Sequence, residues 1–246
     1  MIRFRFIELD LLRSLAIAGM IIYHTAYLLD FFELVLLELR QGAWLILAYF
    51  VQLSFLGLVG ICLAISWQRH RQKGEVFLSF ASRQTKRAGI VFGCGLLVTF
   101  VTWLVIPDQY VRFGVLHFIG LSIFLLIPLS GRPLLCGLLA ATMFLFTSFV
   151  HGISVPTAWL IFVGFSYPFS SVDYFPLFPW LGVVLIGIAV GHLLYQGDRR
   201  RFPMLKLAEG QSGNLLLLTS RNSLIVYLTH VPVLYAAIGA ASYLLH

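Results

Sequence analysis

Long apolar runs alternate along this chain with short polar or charged stretches. Seven runs stand out, at about 10–32, 43–66, 87–106, 114–130, 134–150, 179–196 and 222–244. Each falls within the roughly 17 to 25 residues that a helix needs to cross a bilayer. Runs this long without turn residues predict helices rather than buried strands. The ~10-residue alternating segments of a membrane barrel are absent. An eighth stretch, "ISVPTAWLIFVGF" at 153–165, is apolar but short, and it reads as an interfacial or re-entrant segment. From the sequence alone an eighth span stays open. The expected fold is all-α: a polytopic helical membrane protein of about seven transmembrane helices, forming one domain over 1–246. No inverted repeat of the kind common in transporters is visible.

Composition supports this setting. Hydrophobic residues make up 60% of the chain and charged residues 11%, against the ~25% charged expected of a soluble domain. Mean hydropathy is +0.93. The net charge of +7 gives no reason to expect nucleic acid, because the inner loops of membrane proteins are basic for insertion reasons. Cys62, Cys94 and Cys136 lie in apolar runs without paired spacing, so neither a disulfide framework nor a metal site is expected. The first apolar run reads as a retained helix, since it is long and others follow.

Charge also orients the chain. The loop "WQRHRQKGEVFLSFASRQTKR" holds six Lys/Arg and one Glu, and "GDRRRFPMLK" holds four Lys/Arg and one Asp. Both belong on the cytoplasmic side, with the N-terminus and Arg221. The opposite side then carries only Arg40 and Arg112 among the Lys/Arg. The chain is thus expected to be a multi-pass protein of the lipid bilayer.

Ionisable groups inside such spans need a reason. "DLLRSLAIAGMIIYH" puts Asp10, Arg13 and His24 on the first helix. At 100° per residue Arg13 and His24 nearly share a face, about 16 Å apart along the axis. Arg13 also suits a snorkelling anchor, and Asp10 a helix cap that neutralises it. His24 lies deeper, where ionisable groups usually face a bundle interior or wet cavity; it also suits a structural imidazole bonded to a neighbouring helix. His117 and Asp173 fall on the same, outer side, and Asp173 doubles as a turn residue before a Pro-rich corner. Arg83, Lys86, Arg87 and Arg221 lie at the cytoplasmic face, where Asn222 starts the last helix. A cationic mouth suits a phosphorylated donor. An outer imidazole–carboxylate group suits general base catalysis on a hydroxyl or amine. His70, His151, His192 and His246 sit in loops or at ends and receive no role.

Four blocks carry a resemblance: "ELDLLRSLAIAGMIIYH", "FGVLHFIGLS", "DYFPLFPWLGVVLIGIAVG" and "RNSLIVYLTHVPVL". In this order they resemble bacterial members of the heparan-α-glucosaminide N-acetyltransferase catalytic-domain family. The resemblance implies transfer of an acetyl group from cytosolic acetyl-CoA to a sugar or glycan beyond the membrane, without a metal. His24, His117 and Asp173, which fall inside these blocks, are the expected catalytic residues; the cationic mouth of Arg13, Arg83, Arg87 and Arg221, with Asn222 beside it, is expected to bind the donor's phosphates. The chain departs from the family's lysosomal enzyme, which has an Asn at the first-helix position and a reactive His in the next loop. Here the helix supplies His24, and "LLDFFELVLLELRQG" holds no His. A small-molecule or proton-coupled transporter and a non-catalytic membrane partner are the competing expectations. N- versus O-acetylation and homo-oligomerisation stay open.

Overall fold

In a computed structural model the structure describes residues 6–202 and 222–245. Helices dominate, in the order α1 (Ile7–Phe31), α2 (Gly42–Gln72), α3 (Phe77–Val105), α4 (Val115–Leu126), α5 (Pro133–Gly152), α6 (Leu177–Leu194) and α7 (Ser223–Leu245). A single 3-10 turn, Ile127–Leu129, prolongs α4, and another, Ala158–Leu160, lies between α5 and α6. The only strands among the described residues are β1 (Tyr195–Gln196) and β2 (Arg199–Arg200), one small antiparallel hairpin.

Six of these helices are long and apolar enough to span a membrane. α4 is the exception. Its 12 residues at ~1.5 Å each, with the 3-10 turn at ~2 Å per residue, cover about 24 Å, short of the ~30 Å hydrocarbon core. The segment 153–165 forms no α-helix, only the 3-10 turn within it.

One expectation about a loop is corrected. The basic stretch 67–87 is helical except at Lys73–Val76, because α2 runs on to Gln72 and α3 begins at Phe77. Gln, Arg, Lys and Leu are good helix formers. Charge density marks the side of the membrane here, not the end of the helix.

The helices pack as two compact units, one taking in 6–55 and 222–245 and the other 56–202. In the first, α1 packs on α7, and Ala16, Ile17, Met20, Ala26 and Leu28 of α1 are buried. In the second, α3 packs on α4 and α5 on α6 around Phe80, Phe118, Leu126, Val184 and Ile188. There α2 and α6 touch through glycines. A Cβ at Gly60 would run into the backbone of Val184 and Gly187, and one at Gly187 into the carbonyl of Gly57. Small residues permit such close backbone approach, which helices in lipid rely on for packing.

The outward faces remain apolar. Leu134 is 85% exposed, Leu145 76% and Ile46 71%. Apolar surface on that scale is stable against lipid and not against water. The chain is therefore an integral membrane protein.

Candidate active site

α1 carries its ionisable groups at two levels. Near its start Arg13 Nη1 donates to Asp10 Oδ1 at 3.2 Å, and Asp10 is buried. Eleven residues on, His24 Nδ1 lies 2.9 Å from the carbonyl of Met20. A carbonyl only accepts, so Nδ1 carries the proton. In α7, His230 Nδ1 faces the carbonyls of Tyr227 (2.7 Å) and Val226 (3.1 Å), so it too is the protonated nitrogen. His230 Nε2 then offers a lone pair to His24 Nδ1–H at 3.2 Å, with the rings 4.9 Å apart. These assignments follow from the partners of each nitrogen. They leave His24 Nε2 as a bare lone pair, which no described residue bonds.

The sequence places His230 among the polar groups of the last helix without a catalytic role, and the structure sets it against His24. It was visible as a His in an apolar helix, the kind of group that marks function. Nothing in the chain, however, ties it to a residue 206 positions away. Pro232 follows it in α7. That residue has no N–H to give the carbonyl one turn back, and helices in membranes tolerate this.

His117 and Asp173 meet in the 56–202 unit, at the start of α4. Gly114 is its N-cap. Asp173 Oδ2 accepts the N–H of Val115 at 3.0 Å, and His117 Nδ1 accepts that of Gly114 at 3.3 Å. Two of the N–H groups that open every helix are thus satisfied. His117 Nε2–H then donates to Thr99 Oγ1 (3.3 Å), whose hydroxyl donates to the carbonyl of Val111 (2.7 Å). The pattern needs a glycine at 114, because a Cβ there would strike the Asp173 carboxylate. Burial raises the Asp173 carboxyl to about 6, against the pull of the Val115 N–H, which favours the anion. Beside it, burial raises the Tyr174 phenol to about 12, and its hydroxyl donates to the carbonyl of Ile161.

The same corner borders a hollow of about 380 Å³ lined by His151, Tyr167, Phe169, Tyr174 and Trp180. His151 Nε2–H donates to the carbonyl of Phe178 at 3.2 Å. The Arg112 guanidinium lies over the rings of Tyr110 and Phe169, at 4.5 and 5.7 Å from their centroids. No pattern in the sequence assigns His151 a role, since its neighbours come from the loop that follows.

The basic residues expected to hold a donor are distributed over both units. Arg13 pairs with Asp10 in one. In the other, exposed Arg83 pairs with Glu75 at 2.6 Å. Hydrogen bonds from Arg83 and then His70 hold the Glu75 carboxyl below its ordinary value. Arg87 is exposed, Asn222 is exposed just before α7, and Arg221 lies outside the described residues. Among the described residues no group of three or more His, Cys, Asp or Glu is placed to hold a metal ion.

The model of one protein family, described as heparan-alpha-glucosaminide N-acetyltransferase, catalytic, matches residues 5–232. No curated protein and no solved structure matches the chain. The matched range takes in His24, His117, Asp173 and His230, and six of its helices suit a bilayer. Acetyl transfer by a membrane-embedded enzyme is the activity class that this suggests. By a match over most of its length, the chain belongs to the heparan-alpha-glucosaminide N-acetyltransferase catalytic family.

Proposed function

We propose that this protein moves an acetyl group from cytosolic acetyl-CoA to a hydroxyl or amine of a sugar or glycan on the opposite side of the membrane. The observation that carries the proposal is His24, an imidazole within a spanning helix whose Nε2 lone pair is left unbonded by the described residues. In the reaction the acceptor oxygen or nitrogen attacks the thioester carbonyl carbon. The new acetyl bond forms as the carbon–sulfur bond breaks. His24 Nε2 takes the acceptor's proton and hands it to the departing CoA sulfur. While His24 holds that proton, its Nδ1–H stays bonded to Met20 and His230, so the imidazolium keeps both partners.

His117 and Asp173 act as positioning residues that fix the start of α4 on the outer side. The aromatic hollow beside them offers flat apolar faces to a sugar ring. Arg13, Arg83, Arg87, Arg221 and Asn222, which the charge pattern assigns to the cytoplasmic side, are the candidates for pairing with the donor's phosphates, which guanidinium groups pair well.

The test is purified full-length protein supplied with isotopically labelled acetyl-CoA and a panel of amino and neutral sugars. Label on a sugar, read by mass spectrometry, is the expected result. Release of CoA without any labelled sugar or glycan would overturn the acceptor class. Neither release nor transfer would overturn the enzyme.

A further inference from the structure

At the basic end of the 56–202 unit, a hairpin is tied down onto the last turns of α2. Gln68 Oε1 accepts the N–H of Gly197 at 2.6 Å, and Gln68 Nε2 donates to His192 Nδ1 at 3.1 Å. His192 Nε2–H then donates to the carbonyl of Ser130 at 2.7 Å. Gly197 N–H can only donate and Ser130 C=O can only accept, so the orientation of the amide and the tautomer of the imidazole are both determined. Gln72 adds a bond to the carbonyl of Gln196, Arg69 pairs with Asp198 at 2.7 Å, and the Arg201 N–H bonds the carbonyl of Leu194.

This scaffold borders an open hollow of about 250 Å³ with Trp67, Arg71, Gln72, Tyr195, Gln196 and Arg201 among its walls. Among the described residues no acidic side chain lines it. Arg69 and Arg83 each have a carboxylate partner. Arg71 and Arg201 are exposed, and among the described residues neither has an ion pair. Positive charge at this end would serve membrane insertion wherever it stood. Insertion does not call for a hollow built by interlocking hydrogen bonds, with two unpaired guanidinium groups on its walls.

We propose that this hollow is a phosphate-binding site, with Arg71 and Arg201 gripping the phosphate oxygens. Guanidinium forks match phosphate geometry, and basic pockets between helix ends at the cytoplasmic leaflet suit anionic lipid headgroups. Trp67 sets an aromatic ring beside the charge, in the way such rings sit at the headgroup level. The phosphate comes either from a phospholipid or from a soluble nucleotide. The site stands whether or not the chain transfers acetyl groups.

The test uses full-length protein purified in detergent, with phosphatidylglycerol and adenosine 3′,5′-bisphosphate as separate probes and native mass spectrometry as the readout. Wild type should retain at least one probe, and Arg71→Gln/Arg201→Gln should bind it about tenfold or more weakly, the order expected from losing charge-assisted bonds. Lipid retained in the presence of excess bisphosphate identifies the headgroup as the source. Saturable bisphosphate binding that excludes the lipid identifies the nucleotide. Arg71→Lys/Arg201→Lys keeps the charge needed for insertion but loses the fork, so it should insert normally and still bind more weakly. Equal binding by wild type and both double variants, or no binding of either probe by wild type, would overturn the site.

Discussion

In the 56–202 unit, His117 accepts from the Gly114 N–H and donates to Thr99, so both ring nitrogens are bonded. In the other unit, His24 donates from Nδ1 to Met20 and toward His230, and no described residue bonds its Nε2. Residue type and apolar surroundings are alike in the two places, and the hydrogen bonds tell them apart. A proton arriving at His117 Nδ1 displaces the bond that caps α4. A proton arriving at His24 Nε2 displaces nothing. The first histidine is suited to holding structure and the second to accepting a proton.

The contrast is sharpest in activity. General base catalysis typically contributes about 10²–10⁴-fold. His24→Ala should lower acetyl transfer by about that factor and leave the protein folded in the membrane. His230→Phe should lower transfer by less, because it removes the partner of His24 Nδ1 and spares the lone pair on Nε2. Rates for the three proteins on one acceptor check both statements. Undiminished transfer by His24→Ala would make His24 as structural as His117.

Asp173 gives the next effect, in stability against pH. Its carboxyl sits at about 6 in the folded protein against an ordinary 3.8. Below about 3.8 the group is protonated in both folded and unfolded chains, and the folded state carries no penalty. As pH rises toward about 6 the unfolded chain ionises first, so stability is lost over that window and levels off above it. The loss is at most about 3 kcal/mol, at about 1.4 kcal/mol per pH unit, and the positive end of α4 trims it. Asp173→Asn stays neutral and keeps an oxygen for the Val115 N–H. The melting temperature of wild type minus that of Asp173→Asn should therefore fall between pH 4 and pH 6 and stay level to pH 8. A flat difference throughout would show that burial does not control this carboxyl.

The sequence showed much of this fold and less of the site. Apolar runs marked every helix, because the bilayer imposes a minimum length on each. They did not show how short α4 is: its start at Val115 agrees with the run, but the α-helix stops at Leu126, where the turn Ile127–Leu129 with its proline takes over. Charge density suggested a loop at 67–87, but positive charge reports the side of the membrane and says nothing of where a helix stops. His24 was conspicuous because an imidazole in a span needs a partner. The identity of that partner, His230, rests on the packing of the first helix against the last, and no local pattern encodes it. The hollow between Arg71 and Arg201 was hidden for a similar reason. It needs Gln68 and His192 to hold a hairpin in place, and the chain separates those two by 124 positions.

The smallest expected effect tests the other half of the comparison. Thr99→Val keeps the shape of the side chain and removes the hydroxyl that joins His117 Nε2–H to the carbonyl of Val111. His117 is only 3% exposed, so its N–H is left without a partner and without water. A buried polar group abandoned in this way costs about 1–3 kcal/mol. The N–H of Val111 keeps its bond to Thr102 Oγ1 at 3.0 Å, which holds the segment near its place. Thr99→Val should therefore melt earlier than wild type, while its transfer rate below that melting point stays close to wild type. The two readouts separate the alternatives. Unchanged stability with a loss of transfer as large as that of His24→Ala would mean that Thr99 serves the chemistry through His117. The two histidines would then have to be treated as one kind.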